Sequence, residues 1–206
     1  AGGVLVANNR IADCAYTAIR GNGAANIQMI GNACTQLGEV ALYAEFVFEG
    51  ALISGNVISR AASGISVTNF NEGGRLAVVQ GNLIRDLFRR EHEPVDTRGI
   101  GIGVEADTAV TGNVIENAPT AGISVGWGPH LRDVAISGNL IRTTGIGIAV
   151  SSDPGAGACL ISNNMISGAR DGAIRAMDYG TPRGPDLARA DAPASGRIVL
   201  SGNVAV

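Results

Sequence analysis

The sequence predicts an all-β solenoid: a right-handed single-stranded parallel β-helix of about eight coils with an asparagine ladder. The first observation is a phrase, Gly-Asn-x-(Ile/Val/Leu), that recurs mostly at intervals of 23 to 26 residues. The second is that apolar residues occupy fixed positions relative to each asparagine. The third is that the chain has 30 glycines and no sustained helical periodicity, and frequent glycine disfavours helices.

The repeated asparagine marks the coils, and it stands at Asn9, Asn32, Asn56, Asn82, Asn113, Asn139, Asn164 and Asn203. The residue three positions before it is always apolar, and the column reads Val6, Met29, Ile53, Val79, Val110, Ile136, Ile161 and Leu200. The residue five positions before the asparagine is also apolar in most coils. Because side chains alternate along a strand, these two positions share one face, which we expect to point inward.

A second strand begins eight or nine residues after the asparagine in most coils. It reads Gly64-Ile-Ser-Val67, Gly101-Ile-Gly-Val104, Gly122-Ile-Ser-Val125, Gly147-Ile-Ala-Val150 and Gly172-Ala-Ile-Arg175. Ser124 lies in a Gly-x-Ser-x-Gly pattern, which is typical of a nucleophile elbow. Ser66 occupies the same position of the repeat, so we assign this serine to the repeat.

The residue before the repeated asparagine is glycine in six coils and asparagine, at Asn8 and Asn163, in the other two. These two residue types best tolerate positive φ, so the column predicts a left-handed bend. Stacked coils give parallel sheets, and parallel crossovers are right-handed. The asparagines then form an interior ladder of side-chain hydrogen bonds, each contributing about 1 kcal/mol.

Two insertions interrupt the single domain that we predict for residues 1–206. The first spans about 85–98 and the second about 177–195, and both are predicted to be surface loops, where repeat proteins place binding features. The chain starts on a repeat strand and stops within a repeat, with no capping segment. We therefore expect a piece of a longer polypeptide, or ends covered by a partner or by another copy packed end to end.

Composition narrows the classes of function. The net charge is −3 and all 15 basic residues are arginine, so no electrostatic case for nucleic acid exists. No apolar run approaches the length of a membrane span. Cys14, Cys34 and Cys159 lack the spacing of a metal site, and we predict buried thiols, with a Cys14–Cys34 disulfide left open.

Residues 99–176 contain three further phrases, Gly-Ile-Gly-Val-Glu-Ala-Asp-Thr-Ala-Val-Thr-Gly-Asn-Val (101–114), Gly-Ile-Ser-Val-Gly-Trp-Gly-Pro-His-Leu-Arg-Asp-Val (122–134) and Ile-Ser-Gly-Ala-Arg-Asp-Gly-Ala-Ile (166–174). They resemble a family of Tat-translocated repetitive proteins of alphaproteobacteria. This resemblance implies a secreted or periplasmic parallel β-helix and no particular activity. More distantly, the repeat is similar to pectate-lyase-like proteins and alginate epimerases, whose substrates are acidic polysaccharides. Their catalytic motifs are not recognisable, so no catalytic residue is carried over.

A candidate substrate-binding edge follows the Gly-Ile-x-Val strands and comprises Glu105, Asp107, Trp127, His130, Arg132, Asp153 and Asp178. The tryptophan ring would stack on a sugar. The carboxylates would act as general acid or base, or hold Ca²⁺ through their oxygens. In a lyase or epimerase a base removes a proton beside a uronate carboxyl and a cation stabilises the enolate. His92, His130 and Arg132 are candidates for those roles. Alternatively, the aspartates only cap turns.

Two functions follow as alternatives. The first is a secreted β-helix repeat protein that binds or modifies polysaccharide along one face; as an enzyme it would be a lyase, an epimerase or a glycoside hydrolase. The second is a noncatalytic scaffold or cell-envelope interaction protein. Apart from the Ca²⁺ considered above, the sequence identifies no cofactor, no metal motif and no catalytic residue.

Overall fold

The chain winds as a parallel β-solenoid in the computed structural model, which describes residues 2–68, 74–93, 97–189 and 196–206. Its strands are β1 (Leu5–Ala7), β2 (Arg10–Cys14), β3 (Ile19–Asn22), β4 (Ile27–Ile30), β5 (Ala33–Glu45), β6 (Glu49–Ser54), β7 (Val57–Thr68), β8 (Arg75–Gln80), β9 (Leu83–Arg85), β10 (Ile100–Val104), β11 (Thr108–Thr111), β12 (Val114–Val125), β13 (Val134–Ser137), β14 (Leu140–Ser151), β15 (Cys159–Ser162), β16 (Met165–Ala169), β17 (Ile174–Asp178), β18 (Thr181–Asp186), β19 (Ile198–Ser201) and β20 (Val204–Ala205). Over the described ranges the chain has no helix that is long and apolar enough to cross a membrane.

The first sheet has eight parallel strands in the order β1-β4-β6-β8-β11-β13-β15-β19. The column three residues before the asparagine stacks in register across it. Ile136 pairs with Ile161, for example, and both side chains are fully buried. Eight strands enclose about seven complete turns. The predicted parallel β-helix is therefore confirmed.

The second sheet has twelve strands, and its main path runs β2-β5-β7-β10-β12-β14-β17-β18. The isoleucines of the Gly-Ile-x-Val phrases, Ile65, Ile102, Ile123 and Ile148, stack in register and are buried. The glycine of this phrase is required by close packing, because a Cβ on Gly101 would lie 2.4 Å from the carbonyl oxygen of Gly122. The aliphatic core fills the space between the two sheets.

The left-handed bend is present in every coil. Gly138 has a φ of 64° and Asn163 has a φ of 54°. The asparagine that follows points inward, and the Nδ2 of each donates to the Oδ1 of the next at 2.9–3.1 Å from Asn9 to Asn203. The predicted interior asparagine ladder is confirmed.

A second left-handed column was not predicted from the sequence. It lies partway along the second sheet and comprises Asp13, Gln36, Arg60, Asp86, Asn117, Thr143 and Gly168, with φ between 51° and 62°. Strand pairing shifts register just after it, between Ala118 and Ala121 for example. Some members bond along the column, as when Asn117 Nδ2 donates to Asp86 Oδ1 at 2.8 Å.

The first insertion follows β9 and folds back against the second sheet. Arg90 lies 3.4 Å from the carboxylate of Glu39 in β5, and Arg98 lies 4.0 Å from the same carboxylate. The insertion forms no strand of its own in its described part, and residues 94–96 lie outside the described ranges.

The second insertion differs from the prediction, because it begins with a strand. β18 pairs antiparallel with β17 and forms the edge of the second sheet. The chain thus has a segment that covers one of its exposed edges, although we expected no capping segment. Residues 190–195 lie outside the described ranges.

In the coil that contains β17, the sequence phrases align Arg175 with Val150, and this alignment is wrong by one residue. Val150 pairs with Ala176, and Arg175 pairs with Ala149. Asp178 therefore stands one position earlier in its coil than Asp153 does in the preceding one.

The three cysteines are free thiols, so the disulfide left open by the sequence is not formed. Burial raises the pKa of Cys34 to about 11, with a smaller contribution from Cys14, and raises the pKa of Cys159 to about 12. Because the thiolate is the reactive form, neither buried cysteine is suited to nucleophilic chemistry.

Candidate functional site

A groove of about 370 Å³ runs over the outer face of the second sheet. Its floor comes from the outward residues of the Gly-Ile-x-Val phrases, which are small: Ser66, Gly103 and Ser124 pair in register on neighbouring strands. Tyr43 precedes them in the same column on β5. Small floor residues between larger side chains leave a depression that follows the solenoid axis.

Trp127 forms the far end of this groove and is 40% exposed. It follows β12 in a tight turn, where its backbone N–H and carbonyl bond those of His130 at 3.2 and 3.1 Å. Tyr179, from the turn between β17 and β18, packs edge-on against the indole with ring centroids 5.6 Å apart. The second insertion therefore holds the tryptophan in place.

Two charged side chains line the groove between the aromatic ends. Glu105 follows β10 and is only 5% exposed, and Arg98 comes from the end of the first insertion. The guanidinium of Arg98 is itself close to Glu39. A buried carboxylate and an ion-paired arginine provide fixed polar groups for a ligand.

Asp107 and Arg132 lie at the same edge but bond to each other. The Nε and Nη2 of Arg132 donate to the two carboxylate oxygens of Asp107 at 2.8 and 2.7 Å. This hydrogen-bonded ion pair lowers the pKa of Asp107 against the opposing effect of burial. Asp107 borders the outer face of the first sheet, so it is not among the residues that line the groove.

His130 lines a smaller neighbouring cleft of about 310 Å³, together with Glu105, Arg132 and Gly155. Glu105 therefore borders both this cleft and the groove. The structure thus brings three of the predicted edge residues, Glu105, His130 and Arg132, to one cleft. Trp127 lies on the groove side instead.

Asp153 and Asp178 are engaged elsewhere in their own turns. The carboxylate of Asp153 accepts a hydrogen bond from the N–H of Gly155 at 2.7 Å. Asp178 is ion-paired with Arg183 of β18. The turn-capping alternative considered above describes Asp153 well. His92 is exposed in the first insertion, 3.7 Å from Glu93.

No calcium site is indicated in the ranges that the structure describes. They contain no group of three or more His, Cys, Asp or Glu side chains that could hold a metal ion.

Sequence reasoning missed most of the groove residues. Tyr43 and Arg98 were not predicted, because the predicted edge follows the strand ends, whereas the groove lies over the strands themselves. Ser66 and Ser124 were assigned to the repeat alone. The signal was present in the column between the isoleucine and valine of each phrase. Tyr179 had no such signal, because its contact with Trp127 depends on how the second insertion folds.

The fold and the groove together define a parallel β-helix protein with a groove on the outer face of one sheet. Residues 1–141 match the family model described as "Right handed beta helix region". The chain belongs to this right-handed β-helix family. No curated protein and no solved structure matches it.

Proposed function

We propose that the chain binds a polysaccharide along the groove of the second sheet. The observation that carries this proposal is an open depression with the exposed ring of Trp127 at one end, the partly buried ring of Tyr43, which packs against Arg20, at the other, and serine hydroxyls on its floor. Aromatic faces stack on the apolar faces of sugar rings, and hydroxyls and charged groups bond sugar hydroxyls. These are the surface properties that a glycan ligand requires.

The shape of the groove favours a polymer over a small molecule. From β5 to β12 the groove crosses four adjacent strands, a length of about 14 Å at the usual strand spacing. It follows the solenoid axis, so a linear chain would extend over successive coils. Membership of the β-helix family supports a carbohydrate ligand in a general way.

The proposal is for binding, and chemical modification is the weaker alternative. The carboxylates of Asp107, Asp153 and Asp178 are each bonded to a protein group, which favours a noncatalytic role at this edge. Glu105 and His130, which share the smaller cleft, are the residues that a lyase or epimerase would use. Assays for unsaturated uronate products separate modification from binding.

We also propose that the protein is exported and acts in the periplasm or outside the cell, as the resemblance to Tat-translocated repetitive proteins implies. Polysaccharides of the cell envelope and of the surroundings are accessible there. Fractionation of cells that express the full-length protein tests this part of the proposal.

The test of binding is titration calorimetry with uronate and neutral oligosaccharides, comparing the wild-type chain with Trp127→Ala. We expect saturable binding that weakens about 10-fold or more in the variant, because one stacked aromatic ring contributes on the order of 1 kcal/mol beyond its buried area.

Tyr16→Ala is the matched control, since Tyr16 is an exposed aromatic residue that does not line the groove. Its affinity should equal that of the wild-type chain. The proposal fails if no oligosaccharide in a broad panel binds, or if both variants weaken binding equally.

A further inference from the structure

The outer face of the first sheet carries a stripe that is apolar in seven of its eight strands, with Gln28 as the exception. In each strand the residue four positions before the asparagine points outward, and these residues stack in register. From β1 to β19 the stripe reads Leu5, Gln28, Leu52, Val78, Ala109, Ala135, Leu160 and Val199. The next outward column has hydroxyl, amide and apolar side chains, Ile30 among them, and ends in Ser137, Ser162 and Ser201. Neither column contains a charged residue, whereas Asp107 and Asp133 lie on the other side of the stripe.

The stripe is not flat. Ala109 and Ala135 form the floor of a trough of about 500 Å³, with Val78 on one side and Leu160 on the other. The large residues of the stripe lie mainly toward its two ends, where Leu5, Leu160 and Val199 are 61%, 42% and 51% exposed. A partner that fits this surface must present bulky aliphatic side chains to the trough and small ones elsewhere.

We propose that this face binds a second copy of the chain, face to face, about a two-fold axis. The axis runs parallel to the strands and passes between β8 and β11, the middle of the eight-stranded sheet. The two solenoids then point in opposite directions.

The order of residues along the stripe makes the face self-complementary under this symmetry. Val78 faces Ala109 of the second copy, and Leu52 faces Ala135 of the second copy. Each bulky side chain near the centre therefore enters the trough opposite, and each alanine accepts one. A two-fold interface requires this kind of match between a surface and itself.

The stripe itself has no charged member, so burying a partner's charge against it would cost free energy without compensation. Asp107 and Asp133 line the margin of the trough, and Asp107 is already ion-paired with Arg132 of its own chain, so the stripe favours an uncharged surface such as the same face of a second copy. A second exposed aliphatic column, which includes Val57, Leu83 and Leu140, is flanked by charged side chains such as Arg85 and Glu116. That column lies just beyond the left-handed bend.

The area of the face sets the affinity that we expect for the dimer. Eight strands about 4.8 Å apart and about four residues long cover about 34 by 13 Å. Two such faces bury about 900 Å² in total, slightly below the usual lower limit of about 1,200 Å² for stable complexes. We therefore expect a dimer with a dissociation constant in the micromolar range or weaker.

The first test is sedimentation equilibrium of the full chain over a wide concentration range. We expect the mass to rise toward twice that of one chain, and we expect Ala109→Lys to raise the dissociation constant at least about 100-fold, because a long charged side chain would fill the trough that receives Val78 of the second copy. Ala109 is exposed, so this variant should fold normally. Ala12→Lys, at an exposed strand alanine of the second sheet, should leave the dissociation constant unchanged.

The proposal is overturned if the wild-type chain remains monomeric up to about millimolar concentration. It is also overturned if Leu140→Lys disrupts association while Ala109→Lys does not, because the column that includes Val57, Leu83 and Leu140 would then be the interface.

The second test fixes the orientation of the two copies by cross-linking with a short bismaleimide in a Cys14→Ser background, because sheets packed face to face lie about 10 Å apart, too far for a disulfide. A mixture of Leu52→Cys and Ala135→Cys chains should cross-link as a heterodimer, and Leu52→Cys alone should not. Efficient cross-linking of Leu52→Cys to itself would instead indicate solenoids that point in the same direction, and would contradict the proposed axis.

Discussion

Each interior asparagine joins its coil to both neighbours. Asn56 donates from its backbone N–H and its side-chain amide to Asn82, and its amide donates again to the carbonyl of Met29 in the preceding coil. The left-handed residue before it turns the backbone so that these groups point inward. One short phrase therefore encodes both the bend and the hydrogen bonds that stack the coils.

The second left-handed column is less well adapted to its backbone conformation. Thr143 has a φ of 54°, and a β-branched residue is strained in this region. Asn117, one coil earlier in the same column, is a residue type that tolerates it.

Thr143→Asn is expected to stabilise the chain by about 0.5–1 kcal/mol, because asparagine adopts positive φ at lower cost. Thr143 is exposed, so no core contact is lost. Chemical denaturation measures the free energy of unfolding. Thr111→Asn, in ordinary extended backbone of β11, should have no stabilising effect. A loss of stability in Thr143→Asn would show that strain at this position is negligible.

At the level of elements, the β17–β18 hairpin replaces part of a coil. The N–H groups of Gly147 and Ile148 in β14 bond carbonyls of the following coil, those of Gly172 and Ala173. The corresponding N–H groups one coil later belong to Ala173 and Ile174, and both donate to the carboxylate of Asp186 at 2.8 and 3.0 Å. One carboxylate thus satisfies backbone donors that a further strand would otherwise bond.

Asp186 gives the hairpin a dependence on pH. Burial acts to raise the pKa of this carboxyl, but hydrogen bonds from the N–H groups of Ile174, Ala173 and Ala188 together lower it below its ordinary value. A lowered pKa in the folded state means that the charged form is the one stabilised. The contribution of the Asp186 carboxylate to the free energy of unfolding is complete above the unfolded pKa of about 3.9. It is lost as the pH falls through the pKa of the folded state.

Asp186→Asn is therefore expected to cost about 1.5–3 kcal/mol at neutral pH, the range for hydrogen bonds to a charged group. The difference from the wild-type chain should shrink as the pH falls below about 4. Denaturation at a series of pH values measures both effects. Asp171→Asn, at an exposed carboxylate paired with Arg170, serves as the control and should change stability little at any pH. Equal, pH-independent losses in both variants would exclude this role for Asp186.

At the scale of the whole molecule, stability comes from stacking. No coil buries its apolar face alone, and each aliphatic column is continuous from one end of the solenoid to the other. The same stacking lines up the outward columns, so that single residues of the repeat become a groove on one sheet and an apolar stripe on the other.

A charge in the core should disrupt this stacking. Ile136→Asp is expected to destabilise the chain by at least about 4 kcal/mol, since it removes a fully buried side chain and introduces an unpaired carboxylate. Ser137→Asp, the next residue on the outer face of β13, should have a small effect. Thermal melts of the two variants provide the comparison. Similar melting temperatures would mean that the inward and outward columns are wrongly assigned.

The sequence by itself determined the coils, the inward columns, the left-handed bend and the asparagine ladder. It could do so because each depends only on residues one repeat apart, and in a solenoid such residues are neighbours. The candidate edge was predicted by the same logic, and this placed Glu105, His130 and Arg132 beside one cleft.

Only the tertiary structure decided how the coils that carry insertions fold and which residues they contact. The second insertion has no repeat to align with, so its strand, the contact of Tyr179 with Trp127 and the role of Asp186 follow from long-range packing. The ion pairing of Asp107 with Arg132 likewise depends on side-chain rotamers that periodicity does not specify. A repeat fixes which residues are neighbours, whereas the conformations of loops and side chains depend on contacts that do not recur.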